Sequence, residues 1–332
     1  MQYRDLGNSG ISASIVGLGT WVTGGGEMWN GADDAESLRA IDAALDHGIN
    51  LIDTAPAYGW GHSETIIGRA IRNRRDKVVL ATKFGMWWDD NRGSFHFHFD
   101  GKDTFICLRP ETIAIEIENS LRRLGTDYID LYQAHWPSKA PDLTPIAETM
   151  AFLIKLKDQG KIRAIGVSNV SVGQLEEYRS CGEIASDQFR YSMLYRAPEA
   201  DILPYCAGHN IATLTYMSLE QGLLSGKVGM DRVFDPNEFR SNEAWNAWFK
   251  IVNRPKVLAM LAGWKDLTDK YGCTLAQLTL AWTAAQPGVT HVLCGARTPA
   301  QAGQNAGAGA LVLDAADIAR MRNDAIALGD PE

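Results

Sequence analysis

Residues 33–53 read DDAESLRAIDAALDHGINLID, and the fold follows from how that stretch is punctuated. Leu38, Ile41 and Leu45 recur three and four residues apart, so residues 33–47 form an amphipathic helix with one apolar stripe. Gly48 stops it, because glycine takes the left-handed turn that ends helices, and residues 49–53 read as a buried strand. The unit then repeats. Pro110 opens a helix carrying Ile113, Ile117, Leu121 and Leu124 on one side, Gly125 closes it, and residues 128–134 are the next strand. Thr144-Pro145 caps a helix ending at Gly160, followed by a strand at 161–168. Ser171-x-x-Gln174 has the form of a capping box for a helix that ends near Gly182, before a strand at 184–188. Gly208 precedes 211–216 and Gly288 precedes 289–293; with 14–18 at the front and 77–83 after the second helix, eight strands result. Strand–helix alternation implies a parallel sheet, and eight such units imply an α/β fold of the closed (β/α)8 TIM-barrel type, preceded by an N-terminal hairpin and followed by an extra C-terminal helix. An open doubly wound sheet is the second choice. It would carry G-x-G-x-x-G in its first turn, where this chain has Gly17-Leu18-Gly19-Thr20-Trp21-Val22 without the third glycine.

The composition agrees. In 332 residues, 45% are hydrophobic and 22% charged, which is globular rather than disordered. No linker marks a boundary, so residues 1–332 are expected to be a single barrel domain. A net charge of −8 gives no positive field for nucleic acid or anionic lipid, and no apolar run approaches the roughly 20 residues of a membrane span. The five cysteines are scattered and contain no C-x-x-C pair, as expected of free thiols in a reducing cytoplasm.

Two connections exceed ordinary loop length: 84–109 after the third strand and about 219–255 after the seventh. Both leave the C-terminal ends of strands, the barrel face on which active sites sit. The polar residues expected at that face are Asp53, Lys83, His135, Ser168, Asn169, Gln188 and Tyr216, with Tyr58 five residues beyond Asp53. A free phenol titrates near 10, and a neighbouring ammonium favours the phenolate; lowering the value by about 3 units needs roughly 4 kcal/mol. Asp53 would hold Lys83 charged, and His135 would donate a hydrogen bond to a carbonyl oxygen. The set suits protonation of an oxygen that is gaining negative charge.

In these stretches the chain resembles the aldo-keto reductase superfamily, whose catalytic tetrad is Asp, Tyr, Lys and His. The matching motifs are Asn50-Leu-Ile-Asp53-Thr-Ala-Pro-Ala-Tyr58-Gly59, Ala81-Thr-Lys83, Asp130-Leu-Tyr-Gln-Ala-His135-Trp-Pro137 and Ile165-Gly-Val-Ser168-Asn169. The run from Tyr216 to Lys227 and Gly295-Ala-Arg297-Thr298-Pro resemble the bacterial branch of general-stress and inositol-operon reductases. The resemblance implies an NADPH-dependent oxidoreductase of aldehydes or ketones, with NADH possible. It implies Tyr58 as general acid, Lys83 and Asp53 as its tuning pair, and His135 as the group that orients the substrate. It also implies that Ser168, Asn169 and Gln188 bind the nicotinamide carboxamide, that Tyr216 stacks on the ring, and that Gly19, Thr20, Trp21 and Asp53 line its pocket. Met217, Ser218, Leu219, Gln221, Gly222 and Leu223 would wrap the pyrophosphate, and Gly295, Ala296, Arg297, Thr298, Gln301 and Asn305 the adenosine end. The chain departs from the common family pattern there, with Gly295-Ala296 and Gln301 where many relatives have Lys-Ser and an arginine, which leaves Arg297 as the cation for a 2′-phosphate.

Trp21, Trp87, Trp88 and Trp136, with Tyr58 and His135, are the candidate substrate wall for a small carbonyl compound; Trp29 and Trp60 are weaker candidates. Phe95, Phe97 and Phe99, and Trp245, Trp248 and Phe249 in the later insertion, either join that wall or are loop cores. His96 and His98 alternate in an aromatic run, but no third ligand accompanies them, so a hairpin over the mouth is the expectation and a metal is not. A regulatory subunit similar to potassium-channel β subunits is the alternative function. Against it, the chain begins at its first hairpin. Its end soon after the last helix suggests no long C-terminal substrate flap.

Overall fold

The computed structural model describes residues 1–26, 29 and 31–332. In chain order the strands are β1 (Tyr3–Asp5), β2 (Ser12–Ser14), β3 (Val16–Gly19), β4 (Leu51–Asp53), β5 (Val79–Phe84), β6 (Met86–Trp87), β7 (Ser94–Phe99), β8 (Lys102–Ile106), β9 (Ile129–Ala134), β10 (Ile162–Ser168), β11 (Ser186–Arg190), β12 (Ala212–Tyr216) and β13 (His291–Gly295). Eight of them, β3, β4, β5 and β9 to β13, pair in parallel and close into a barrel, β13 returning to β3 through pairs that include Gly295↔Gly19. The helices are α1 (Asp34–Asp46), α2 (His62–Ile71), α3 (Pro110–Leu124), α4 (Ile146–Asp158), α5 (Val172–Cys181), α6 (Ile202–Gly208), α7 (Arg254–Ala262), α8 (Lys265–Tyr271), α9 (Leu275–Ala284), α10 (Pro299–Ala308) and α11 (Ala315–Ala327). One helix follows each barrel strand, α9 and α10 serving the last two, while α7, α8 and α11 are additions.

The local signals act as expected. Asp33 accepts the Glu36 amide at the start of α1, Gly125 ends α3 in the left-handed region, and Ser171 with Gln174 forms a capping box on α5. Pro145 begins α4 by its fixed φ alone, and Thr144 makes no capping bond. Strands β11 and β13 run two residues further than their sequence pattern indicates, because Arg190 and Gly295 still find ladder partners in Tyr216 and Gly19.

The barrel interior is solid. Leu51, Val79, Ala81, Leu131, Ala164, Leu214 and Leu293 fill it, and Leu6, Ile11 and Ala13 of the β1–β2 hairpin join them from the N-terminal end. That packing floors the barrel below a polar layer at the other end. A second core, around Trp264, Trp282, Leu278 and Met321, joins α7, α8, α9 and α11 to the insertion after β12. The insertion after β5 contains a three-stranded antiparallel sheet in the order β6-β8-β7, which is the expected aromatic hairpin with one short strand added.

Candidate active site

Side chains alternate along a strand, so the interior apolar positions fix which residues point into the mouth. Two residues beyond Leu51, Ala81, Leu131 and Leu214 come Asp53, Lys83, Gln133 and Tyr216, and His135 follows Gln133 by two. Gly166 and Ser168 continue from Ala164, and Gln188 follows Ser186. The polar layer of the site is thus the next turn of the barrel's own periodicity.

Lys83 sits at its centre, fully buried. Its ammonium donates to Asp53 Oδ1 at 2.6 Å, the Thr54 carbonyl at 2.9 Å and Tyr58 Oη at 3.3 Å, which uses all three protons. The other oxygen of Asp53 accepts from Gln133 Nε2 at 3.1 Å and Gln188 Nε2 at 2.8 Å. Burial works against the charge on Lys83, but Asp53 and then Tyr58 outweigh it and hold the ammonium above its ordinary pKa. Tyr58 reaches the site on the turn after β4. That turn packs on the backbone of Gly24 so closely that a Cβ on Gly59, at φ +65, would lie 2.1 Å from the Gly24 carbonyl oxygen.

One expectation is corrected. Lys83 does pull the Tyr58 pKa down, but burial, with help from Asp53, pushes it up further, and the net shift is upward from 10.0. At neutral pH Tyr58 therefore holds its proton. His135 is driven well below its ordinary value, by burial first and then by Lys83 and His96, so its imidazole is neutral. Its ring stands edge-on to that of Tyr58, with centroids 5.9 Å apart.

The other expected site residues divide into those that face the mouth and those that brace it. Asn169, at φ +60, accepts from the Tyr216 hydroxyl at 2.8 Å and donates to the His135 carbonyl at 3.1 Å, tying three strand ends together. Ser168 donates to the Gln188 carbonyl. Thr20 is buried, and its hydroxyl donates to the Asp53 carbonyl, so it supports the β4 end rather than lining a pocket. Two expected pyrophosphate contacts are corrected: Ser218 is buried against the Tyr191 and Thr215 carbonyls and Leu223 is fully buried in the second core, so both brace the turn rather than line an open surface. Met217, Gln221 and Gly222 all have positive φ, and Leu219, partly buried, completes this tight turn. At the far end Asn305 donates to the Gly295 carbonyl, Gln301 accepts from the Arg297 amide, and Thr298 caps α10 beside the buried Ala296. Gly19 and Gly295 are register partners at inward positions, which leaves a floor without side chains beside the tetrad.

Among the aromatic residues, Trp21 lies 6.4 Å from Tyr58, 5.1 Å from Trp29 and 4.8 Å from Phe239, measured between ring centroids. Phe239, from the insertion after β12, was not legible as a site residue, since nothing in its local sequence shows that the loop crosses to the first strand. Trp60 and Trp88 form an edge-to-face pair. Trp87 is corrected: it is buried, its indole N–H donates to Asp90, and it offers no open face. Trp248 and Phe249 are loop core, while Trp245 is exposed beside Phe239. His96 and His98 do not share a face, because a bulge between Phe95 and Phe97 breaks the alternation. Gln133 was missed as well, although its place on β9, two residues before His135, points it inward.

A buried Asp–Lys pair bonded to a protonated tyrosine, with a neutral histidine beside it at the mouth of a closed barrel, is a proton-donating site. The model of the aldo/keto reductase family matches residues 15–325. The chain belongs to that family. It is 43% identical over 332 residues to the NADH-specific methylglyoxal reductase of Escherichia coli, covering 99% of both proteins. Its fold matches the glycerol dehydrogenase AKR11B4 of Gluconobacter oxydans with a TM-score of 0.86 and 39% identity, over 99% of this chain and 96% of that one. An aldo-keto reductase from Klebsiella pneumoniae, solved in complex with NADPH, matches at a TM-score of 0.73 and 28% identity, over 97% and 95%. This aldo-keto reductase is accordingly an oxidoreductase of carbonyl compounds. None of its helices is long and apolar enough to cross a membrane, among the described residues.

Proposed function

We propose that this protein reduces a small aldehyde or ketone to the alcohol with Tyr58 as general acid, and that NADPH is its preferred reductant, with NADH also accepted. The observation that carries the reading is the 3.3 Å contact between Lys83 Nζ and Tyr58 Oη, with Asp53 behind it. When bound, a reduced nicotinamide supplies two electrons and one hydrogen to the carbonyl carbon. Tyr58 gives its phenolic proton to the carbonyl oxygen, and the alcohol leaves with both hydrogens. The phenolate left behind lies against the Lys83 ammonium, so the charge is stabilised only as it develops, which lowers the barrier more than it strengthens ground-state binding. Neutral His135 donates a hydrogen bond to the same oxygen and sets its direction. Solvent then returns a proton to Tyr58.

The residues present fit a dinucleotide. The glycine floor at Gly19 and Gly295 gives a flat ring close access to the tetrad, and Asn169, Gln188 and the half-buried Tyr216 border it. A Cβ on Gly222 would meet nothing within 4 Å, so its turn is open on one side. At the adenosine end, the guanidinium groups of Arg297 and Arg240 both lie over the Trp29 ring, at 5.5 and 5.7 Å, with Arg240 paired to Glu238, so Arg297 is the cation this reading assigns to a 2′-phosphate. The relatives support both reductants, since one is NADH-specific by name and another holds NADPH. A single barrel domain over residues 1–332 and a cytoplasmic setting complete the reading.

The deciding experiment follows nicotinamide absorbance with NADPH or NADH against a panel of short aldehydes and ketones. Oxidation of the nucleotide in proportion to alcohol formed is expected. Nucleotide binding without turnover of any carbonyl would replace the reading with a regulatory subunit.

A further inference from the structure

The insertion after β5 places a second histidine at the mouth. Ser94, at the start of β7, donates to the Lys139 carbonyl at 2.5 Å and accepts the Asp142 amide at 2.8 Å, which fastens the β7–β8 hairpin to the loop that follows His135. Phe95 pairs with Phe105 and Phe97 with Thr104, so His96 is the unmatched residue of the bulge and is free of the strand's alternation. Its ring lies 5.5 Å from that of Trp136, the residue next to His135. Its charge would be felt by His135, whose protonation it opposes.

The chemistry of this ring is fixed by one neighbour. Lys139 Nζ stands 3.2 Å from His96 Nδ1. An ammonium has protons to give and no lone pair, so Nδ1 is the acceptor and the ring proton must be on Nε2. Burial, then Lys139, keeps the imidazole neutral by pushing its pKa down to about 4. Nε2 makes no hydrogen bond among the described residues. Two neutral imidazoles therefore accompany Trp136, His135 as its chain neighbour, edge-on to Tyr58, and His96 against its ring.

Building on the reductase reading, we infer that His96 is a specificity-determining residue that donates from Nε2 to a second oxygen on the carbon next to the reacting carbonyl, with Lys139 as its positioning residue. The favoured substrates are α-oxygenated carbonyls, namely 2-oxoaldehydes, 2-hydroxyaldehydes and hydroxyketones. A plain aldehyde of the same length gains nothing from His96.

The test compares glyceraldehyde and methylglyoxal with propanal, all three-carbon aldehydes. In His96→Phe, which keeps a ring against Trp136, KM for the two oxygenated substrates rises by roughly 5–30-fold, the loss of one hydrogen bond. Their kcat stays within about threefold and propanal kinetics are unchanged, by the same reasoning. His96→Gln, which keeps an N–H donor, recovers part of the loss, and Lys139→Met shifts the same KM values in the same direction by less. NADPH affinity, read by nicotinamide fluorescence, checks that the variants are folded. Equal effects on all three aldehydes, or none, overturn the role of His96 and leave the reductase reading intact. Failure of the unmodified protein to reduce any of them overturns the reductase reading itself and the role of His96 with it.

Discussion

At Lys83, three protons meet three acceptors, and each acceptor comes from a different requirement: charge balance from Asp53, backbone satisfaction from Thr54, and chemistry from Tyr58. The ammonium does not make the phenol a strong acid in the resting protein; it offsets part of the burial that would otherwise hold the proton more tightly. The consequence can be measured. Tyr58→Phe is expected to bind nucleotide as before and to lose on the order of 10²–10⁴ in turnover, the usual contribution of a general acid. Because the Tyr58 pKa lies above 10.0, reduction should hold its rate through neutral pH and fall only on an alkaline limb beyond a free phenol's value. A pH–rate profile whose alkaline limb lies near neutrality, or undiminished turnover in the variant, removes Tyr58 from the role.

Among the elements, the barrel strands show why one unmatched bulk matters. Gly166 of β10 faces inward between two layers, and a Cβ there would lie 2.6 Å from Ser186 Oγ, 2.8 Å from Gln133 Cγ and 3.0 Å from Leu131 Cδ1. Gly166→Ala should cost about 1–3 kcal/mol of stability by overpacking and should lower kcat by moving Gln133 off Asp53. Denaturant midpoints and kcat together check it; a loss of stability with unaltered kcat would show that Gln133 does not position the carboxylate. The strands and helices themselves were legible, since residues 33–53 and their repeats state helix, glycine and strand openly. The contact between Phe239 and Trp21 was not, because two loops more than 200 residues apart meet only once the barrel closes.

Across the molecule, stability and pH are linked through groups that burial keeps neutral. Glu116 of α3 is buried and accepts the Gly85 amide on both oxygens at 3.0 Å; burial pushes its pKa up to about 8. Between the unfolded value of 4.5 and about 8, the folded protein keeps a proton that the unfolded chain has released. Stability from this group therefore falls as pH rises through that window. Asp187, also buried and pushed well up, acts in the same direction. Glu116→Gln keeps an acceptor for Gly85 and has no proton to lose, so the drop in thermal midpoint between about pH 5.5 and about pH 8 should shrink in the variant. An unchanged slope would assign the dependence to other groups.

The sequence by itself determined the order of strands and helices, and with it which residues stand at the strand ends: Asp53, Lys83, His135, Ser168 and Tyr216 follow from local period and punctuation, both short-range properties. Only the tertiary structure decided which of these face one another and in which charge state. Burial is a property of the closed barrel, so the protonated Tyr58, the neutral His135 and the bracing roles of Thr20 and Gln188 appear only once the chain has surrounded them. The bulge that turns His96 toward Trp136 is of the same kind, since one residue without a ladder partner is defined by the strand beside it.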